Sequence, residues 1–66
     1  MRLTPKELEV IALVALGYSD KEIGTKLNIS YGTIRTYIDR IVIKLDARNR
    51  TNAAAIFVRA NMDFAI

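Results

Sequence analysis

The chain contains no cysteine and no histidine. Without cysteine there is neither a disulfide framework nor a thiolate metal site. Without histidine the commonest metal ligand and the commonest general base are both missing. Proline occurs once and glycine three times, and no glycine-rich loop is present to cradle a phosphate. Carboxylates do not cluster either. These absences argue against an enzyme and against a metal or other cofactor. The apolar runs are short, too short to cross a membrane. The opening Met1-Arg2-Leu3 leads straight into a helix cap and not into a signal peptide. A cytoplasmic location is the default expectation.

What is present is 66 residues, room for a single small domain spanning residues 1–66. A domain of this size buries only roughly 60% of its unfolded surface, so its stability is marginal. The net charge is +3, but unevenly placed: residues 1–33 balance four basic against four acidic side chains, and residues 34–66 hold six basic and three acidic ones. Most of the excess lies between Arg35 and Arg50. A basic stripe on one segment is an electrostatic footprint for a polyanion. Charge alone favours the blander reading, a solvated helix face, since many soluble domains are this basic.

The pattern predicts four helices and no strand. Thr4, Pro5 and Glu7 form a capping box with proline in the first turn. Leu8, Ile11, Ala12 and Ala15 then fall on one face, and Gly17 is placed to close the helix in left-handed conformation. Ser19 and Glu22 form a second capping box for a helix over about 20–27. Asn28-Ile29-Ser30 interrupts it, and Ser30 can cap a third helix reaching about Leu45. Ile34, Ile38, Ile41 and Leu45 make that helix's core stripe. Asp46 to Asn49 reads as a short loop. A fourth helix over about 50–60 is apolar almost all round, with Ala53, Ala54, Ala55, Ile56, Phe57 and Val58 in succession. Such a helix calls for burial on more than one side, which a small monomer does not provide.

Two helices joined by so short a turn are the grammar of a helix-turn-helix, whose second helix enters the major groove of double-stranded DNA. The groove-side candidates follow from the helical period. Arg35 can present paired N–H donors to guanine, and Thr36 a hydroxyl or methyl to a base edge. Asp39 can accept from cytosine, or pair with Arg35 at i, i+4 and hold it; the pairing is the favoured role. Ser30 and Thr33 can meet a phosphate at the positive helix end. Arg40, Lys44, Arg48 and Arg50 suit backbone phosphates better than bases. Tyr37, at the edge of the apolar stripe, is expected to be a core wall.

The chain resembles the helix-turn-helix domain of the LuxR/GerE family of bacterial transcription regulators. The matching segments are L-T-P-K-E-L-E-V-I at Leu3–Ile11, A-L-G-Y-S-D-K-E-I at Ala15–Ile23 and L-N-I-S-Y-G-T-I-R-T-Y at Leu27–Tyr37, completed by I-x-x-K-L at Ile41–Leu45 and R-x-x-A at Arg50–Ala53. The resemblance implies an all-α, four-helix domain of the winged-helix-like LuxR C-terminal effector type, without strands. It implies base-reading positions at Arg35 and Thr36, and backbone contacts from Ser30, Thr33 and Lys44. It also implies a homodimer through the last helix, for which Ala54, Ala55, Ile56 and Val58 are the candidate residues. Asp39 stands where the family often carries a basic or neutral residue, and Tyr37 replaces a histidine. Asp46 and Asn61 each replace a glycine. Ile43 and Ile56 are apolar where the family is usually polar, which invites contact with a second regulatory protein. Two other functions fit less of the pattern: a sigma-factor-like promoter-binding domain, and a small interaction module or antagonist that pairs with a larger regulator.

Overall fold

A computed structural model describes the backbone of residues 2–65 and the side chains of residues 2–61; Met1 and Ile66 lie outside the described residues. Four helices follow in order: α1 (Pro5–Ala15), α2 (Asp20–Leu27), α3 (Tyr31–Lys44) and α4 (Arg50–Ala65). Among the described residues there is no strand. The expected fold class is the one observed.

Both capping boxes form. The Thr4 hydroxyl accepts from the Glu7 amide at 3.1 Å, and Glu7 Oε1 accepts from the Thr4 amide at 2.8 Å. Ser19 and Glu22 repeat the arrangement at 3.1 and 2.8 Å. The Ser19 amide and hydroxyl hold the Glu22 carboxyl below its ordinary range. Ser30 caps α3 through the Thr33 amide. The three connections then close alike. Gly17, Asn28 and Asp46 each take positive φ (96°, 57° and 53°). The residue after each donates back into the helix: Tyr18 to Leu13 O at 3.1 Å, Ile29 to Gly24 O at 2.9 Å and Ala47 to Val42 O at 2.9 Å. This pattern ties off the last carbonyls. Gly17 does so without steric cost, while Asn28 and Asp46 carry a side chain in a region that disfavours one.

The core is small and mostly branched: Val10, Ile11, Ile23, Ile34, Ile38, Ile41 and Ala53. α3 contributes three of these, spaced by four and three, as its period required. Leu45 and Tyr37 pack half-buried against them.

α1 differs from expectation. Its buried face is Glu7, Val10 and Ile11, while Leu8 is 44% exposed and Ala15 only half-buried. α1 is apolar around much of its circumference, so counting apolar residues does not orient it. An ion pair does: Lys44 Nζ reaches Glu7 Oε1 at 2.8 Å and draws that carboxylate inward.

α4 also differs. It runs to Ala65 and does not end near Ala60. Asn61 is no left-handed cap but a helical residue, with Nδ2 donating to Phe57 O at 2.8 Å. At the other end Asn49, expected in a loop, acts as the cap: its Oδ1 accepts from the Asn52 amide at 2.8 Å.

Gly24 sets the angle between α2 and α3. A Cβ there would lie 2.6 Å from the Ile29 carbonyl oxygen, so the turn is drawn against α2 closer than a side chain permits. Gly24→Val is expected to destabilise the domain by about 1–3 kcal/mol, because the backbone of the turn must give way. Thermal melting checks this; an unchanged midpoint would mean the turn yields freely.

Candidate nucleic-acid interface

Burial of the isoleucine ridge turns the other side of α3 outward. Ser30, Thr33, Arg35, Thr36, Asp39 and Arg40 are all exposed there. Ile43 extends the same face and is 77% exposed. The first turn of α3 carries no acidic residue, so the positive end of the helix is not neutralised. The Ser30 hydroxyl donates to Thr33 Oγ1 at 2.8 Å, binding the two into one N-terminal unit. The Thr36 hydroxyl donates to the Gly32 carbonyl at 3.1 Å. That engagement uses the hydroxyl's one donor and leaves its lone pairs and the methyl.

Arg35 is not held by Asp39. Its Nε lies 3.6 Å from Asp20 Oδ2, and its Nη1 donates to Tyr31 Oη at 3.4 Å. Asp39 makes no ion pair among the described residues. Side chains on a helix lean toward its N-terminus. Arg35 therefore reaches back to Tyr31, one turn earlier, and across to the start of α2. Tyr31 first, then Asp20 and Asp39, raise the already high Arg35 pKa, so the side chain stays a cation at any working pH.

The other basic candidates divide. Arg40 and Arg48 are exposed and make no ion pair among the described residues. Arg50 is half-buried, its Nη1 against Asp20 Oδ1. That contact is an ion pair off hydrogen-bond geometry. Lys44 is half-buried on Glu7. Before either Lys44 or Arg50 meets a phosphate, it must leave or share a carboxylate. On α4, Ala55 and Val58 are exposed and Ile56 half-buried, whereas Ala54 packs against the core beside Phe57.

Sequence reasoning missed Asp20, Tyr31 and Glu7 as neighbours of this face. Tyr31 stands at i−4 from Arg35, a spacing that signals contact. Asp20 and Glu7 looked like ordinary first-turn acids, and nothing local marks their distant partners. Among the described residues no His/Cys/Asp/Glu group is placed to hold a metal, and no helix is long and apolar enough to cross a membrane.

The profile of the bacterial regulatory proteins of the luxR family, GerE, matches residues 1–57. The chain belongs to the LuxR family. Its relatives include the uncharacterized transcriptional regulatory protein YvfU of Bacillus subtilis, 50% identical over 54 residues, which are 82% of this chain and 27% of that protein. The transcriptional regulatory protein LiaR of the same organism is 48% identical over 52 residues, 79% of this chain and 25% of LiaR. The response regulator protein VraR of Staphylococcus aureus is 35% identical over 60 residues, 91% of this chain and 29% of VraR. The chain thus spans between a quarter and a third of the length of these relatives. It is a LuxR-type helix-turn-helix, the kind of DNA-binding domain that transcriptional regulators carry.

In this LuxR-family domain the Glu7–Lys44 pair supports the end of α3. Burial pushes the Glu7 carboxyl up, but Lys44 and the Thr4 amide and hydroxyl outweigh it and leave the group below its ordinary value of 4.5. A lowered folded-state pKa contributes stability above the ordinary value, and that contribution is lost as pH falls through the folded value. Lys44→Met strands the carboxylate, so it is expected to cost about 1–3 kcal/mol at neutral pH. Burial, opposed then only by the Thr4 bonds, should leave the Glu7 pKa higher than in the parent protein, so the deficit should shrink as pH falls through the acidic range. Denaturant titrations across pH test both parts; a deficit constant with pH would show that the lost charge pair is not the cause.

Proposed function

We propose that the domain binds double-stranded DNA in a sequence-specific manner by laying α3 in the major groove, two copies acting as a dimer through α4. The single observation that carries this reading is the exposed face of α3, which combines an unneutralised N-terminus with Thr33, Arg35, Thr36 and Arg40 on a helix fixed by three buried isoleucines. Arg35 reads a guanine, the Thr36 methyl meets a thymine methyl, and Ser30, Thr33, Arg40 and Arg48 engage the backbone. Lys44 and Arg50 join the backbone contacts by dividing their N–H donors between their carboxylate partners and phosphate. Asp39 lies on the groove side without a partner cation, where it selects against phosphate and accepts from cytosine N4.

Arg35→Ala is expected to cost about 1–3 kcal/mol on the preferred site and to relax preference at one base pair. Titration of the preferred site and of random duplex measures both. Equal weakening on every sequence would reassign Arg35 to a phosphate.

On α4, Ala55 and Val58 are exposed apolar residues, Val58 to 40%, and half-buried Ile56 lies between them. Exposed apolar patches mark contacts, and a two-fold dimer would set recognition helices about 34 Å apart on an inverted repeat. Val58→Glu should abolish cooperative binding to a two-half-site operator and leave half-site affinity unchanged. Equilibrium sedimentation and half-site titration check it. Cooperative binding by a folded Glu variant would place the interface elsewhere, with a second regulatory protein as the occupant of this surface.

A further inference from the structure

We propose that Asp20, which need not touch DNA, sets the base preference of Arg35 by positioning its guanidinium; this rests on the reading of α3 as the recognition helix. An arginine on an exposed helix face samples many rotamers, and each must be frozen out before two N–H groups can align with one base. Arg35 is such a side chain, 57% exposed. Two neighbours restrict it. Asp20 Oδ2 stands 3.6 Å from Nε, an ion pair longer than a hydrogen bond, and Tyr31 Oη accepts from Nη1 at 3.4 Å.

Donors remain free on the guanidinium. A guanidinium has five N–H groups. The Nε group faces Asp20 and one Nη1 group faces Tyr31. The second Nη1 N–H and both on Nη2 stay available to a base edge.

Asp20 is a fixed reference point. Its side chain is only 10% exposed. It begins α2, where the helix dipole favours a carboxylate. Its other oxygen is held by Arg50, the first residue of α4. The scaffold helix thereby passes its orientation to the reading side chain, as a supporting residue does in a preorganised site. The contact is charge-borne, so Asp20→Asn keeps the shape and removes the hold.

The experiment uses the chain as it stands, on its preferred site, on that site carrying each other base at the position Arg35→Ala identifies, and on random duplex at the same salt. Melting curves accompany each variant. Asp20→Asn is expected to lower discrimination at that position about tenfold. Random-duplex binding should hold or tighten, since a negative charge is lost. In the Arg35→Ala background the same change should alter discrimination no further. Tyr31→Phe, which removes the second support without disturbing the core, should lower the same discrimination by a smaller factor. It decides the matter if the Asn variant does not fold. Full discrimination in folded Asp20→Asn, or in Tyr31→Phe when the Asn variant is unfolded, overturns the positioning role while Arg35 keeps its own. Full discrimination in Arg35→Ala instead overturns the recognition-helix reading of Arg35. Loss of discrimination in Asp20→Asn that is undiminished when Arg35 is absent overturns the link between the two residues.

Discussion

The ridge of Ile34, Ile38 and Ile41 on α3 is the constraint from which the rest follows. Each of these side chains is buried, and each contributes roughly 1.5–3 kcal/mol by leaving water. In a domain this small that is a large share of the total stability. No rotation of α3 keeps all three covered except the one observed. That rotation exposes Thr33, Arg35, Thr36 and Asp39 together. The exposed face of α3 is the residue of a packing solution. Gly24 refines it, because the bare α-carbon lets the turn approach α2 and so fixes where α3 starts.

Charge is spent inward as well as outward. Glu7 and Asp20 are buried acids, and between them they engage Lys44, Arg50 and Arg35. The formal excess of +3 already counts both acids; what the pairing reduces is the number of cations without a carboxylate partner. Arg40 and Arg48 carry the unengaged charge near α3. A paired cation still attracts phosphate, but it must share its partner, which weakens the gain at each such contact. Both acids also link separate helices: Glu7 ties α1 to the end of α3, and Asp20 ties α2 to α3 and α4.

What was legible in the sequence is what is decided locally. Thr4 with Glu7, Ser19 with Glu22, Ser30 before α3 and Gly17 after α1 each announce a helix end through a partner three or four residues away. The period of the α3 isoleucines shows its inner face, and hence its outer one. The facing of α1 was not legible, because it depends on a pair 37 residues apart, Glu7 with Lys44. The hold on Arg35 was not legible, because Asp39 is near in sequence whereas Asp20 is near in space. α4 was drawn too short because Asn61 can end a helix or continue one, and only its bond to Phe57 O distinguishes the two. Ala54 looked outward on a helical wheel that gave no weight to which neighbour would cover it.

The repeated closure at Gly17, Asn28 and Asp46 has a kinetic meaning. Each chain reversal is completed by hydrogen bonds between residues at most five apart, so none waits for a distant segment to arrive. Domains built from such short-range events fold in microseconds to milliseconds. The slow coordinate is then the docking of α1 and α4 over the finished α2–α3 pair, since Glu7 and Ala53 meet the core only after the intervening chain has turned back. The helix-turn-helix unit is the part expected to assemble early and to persist when the outer helices loosen.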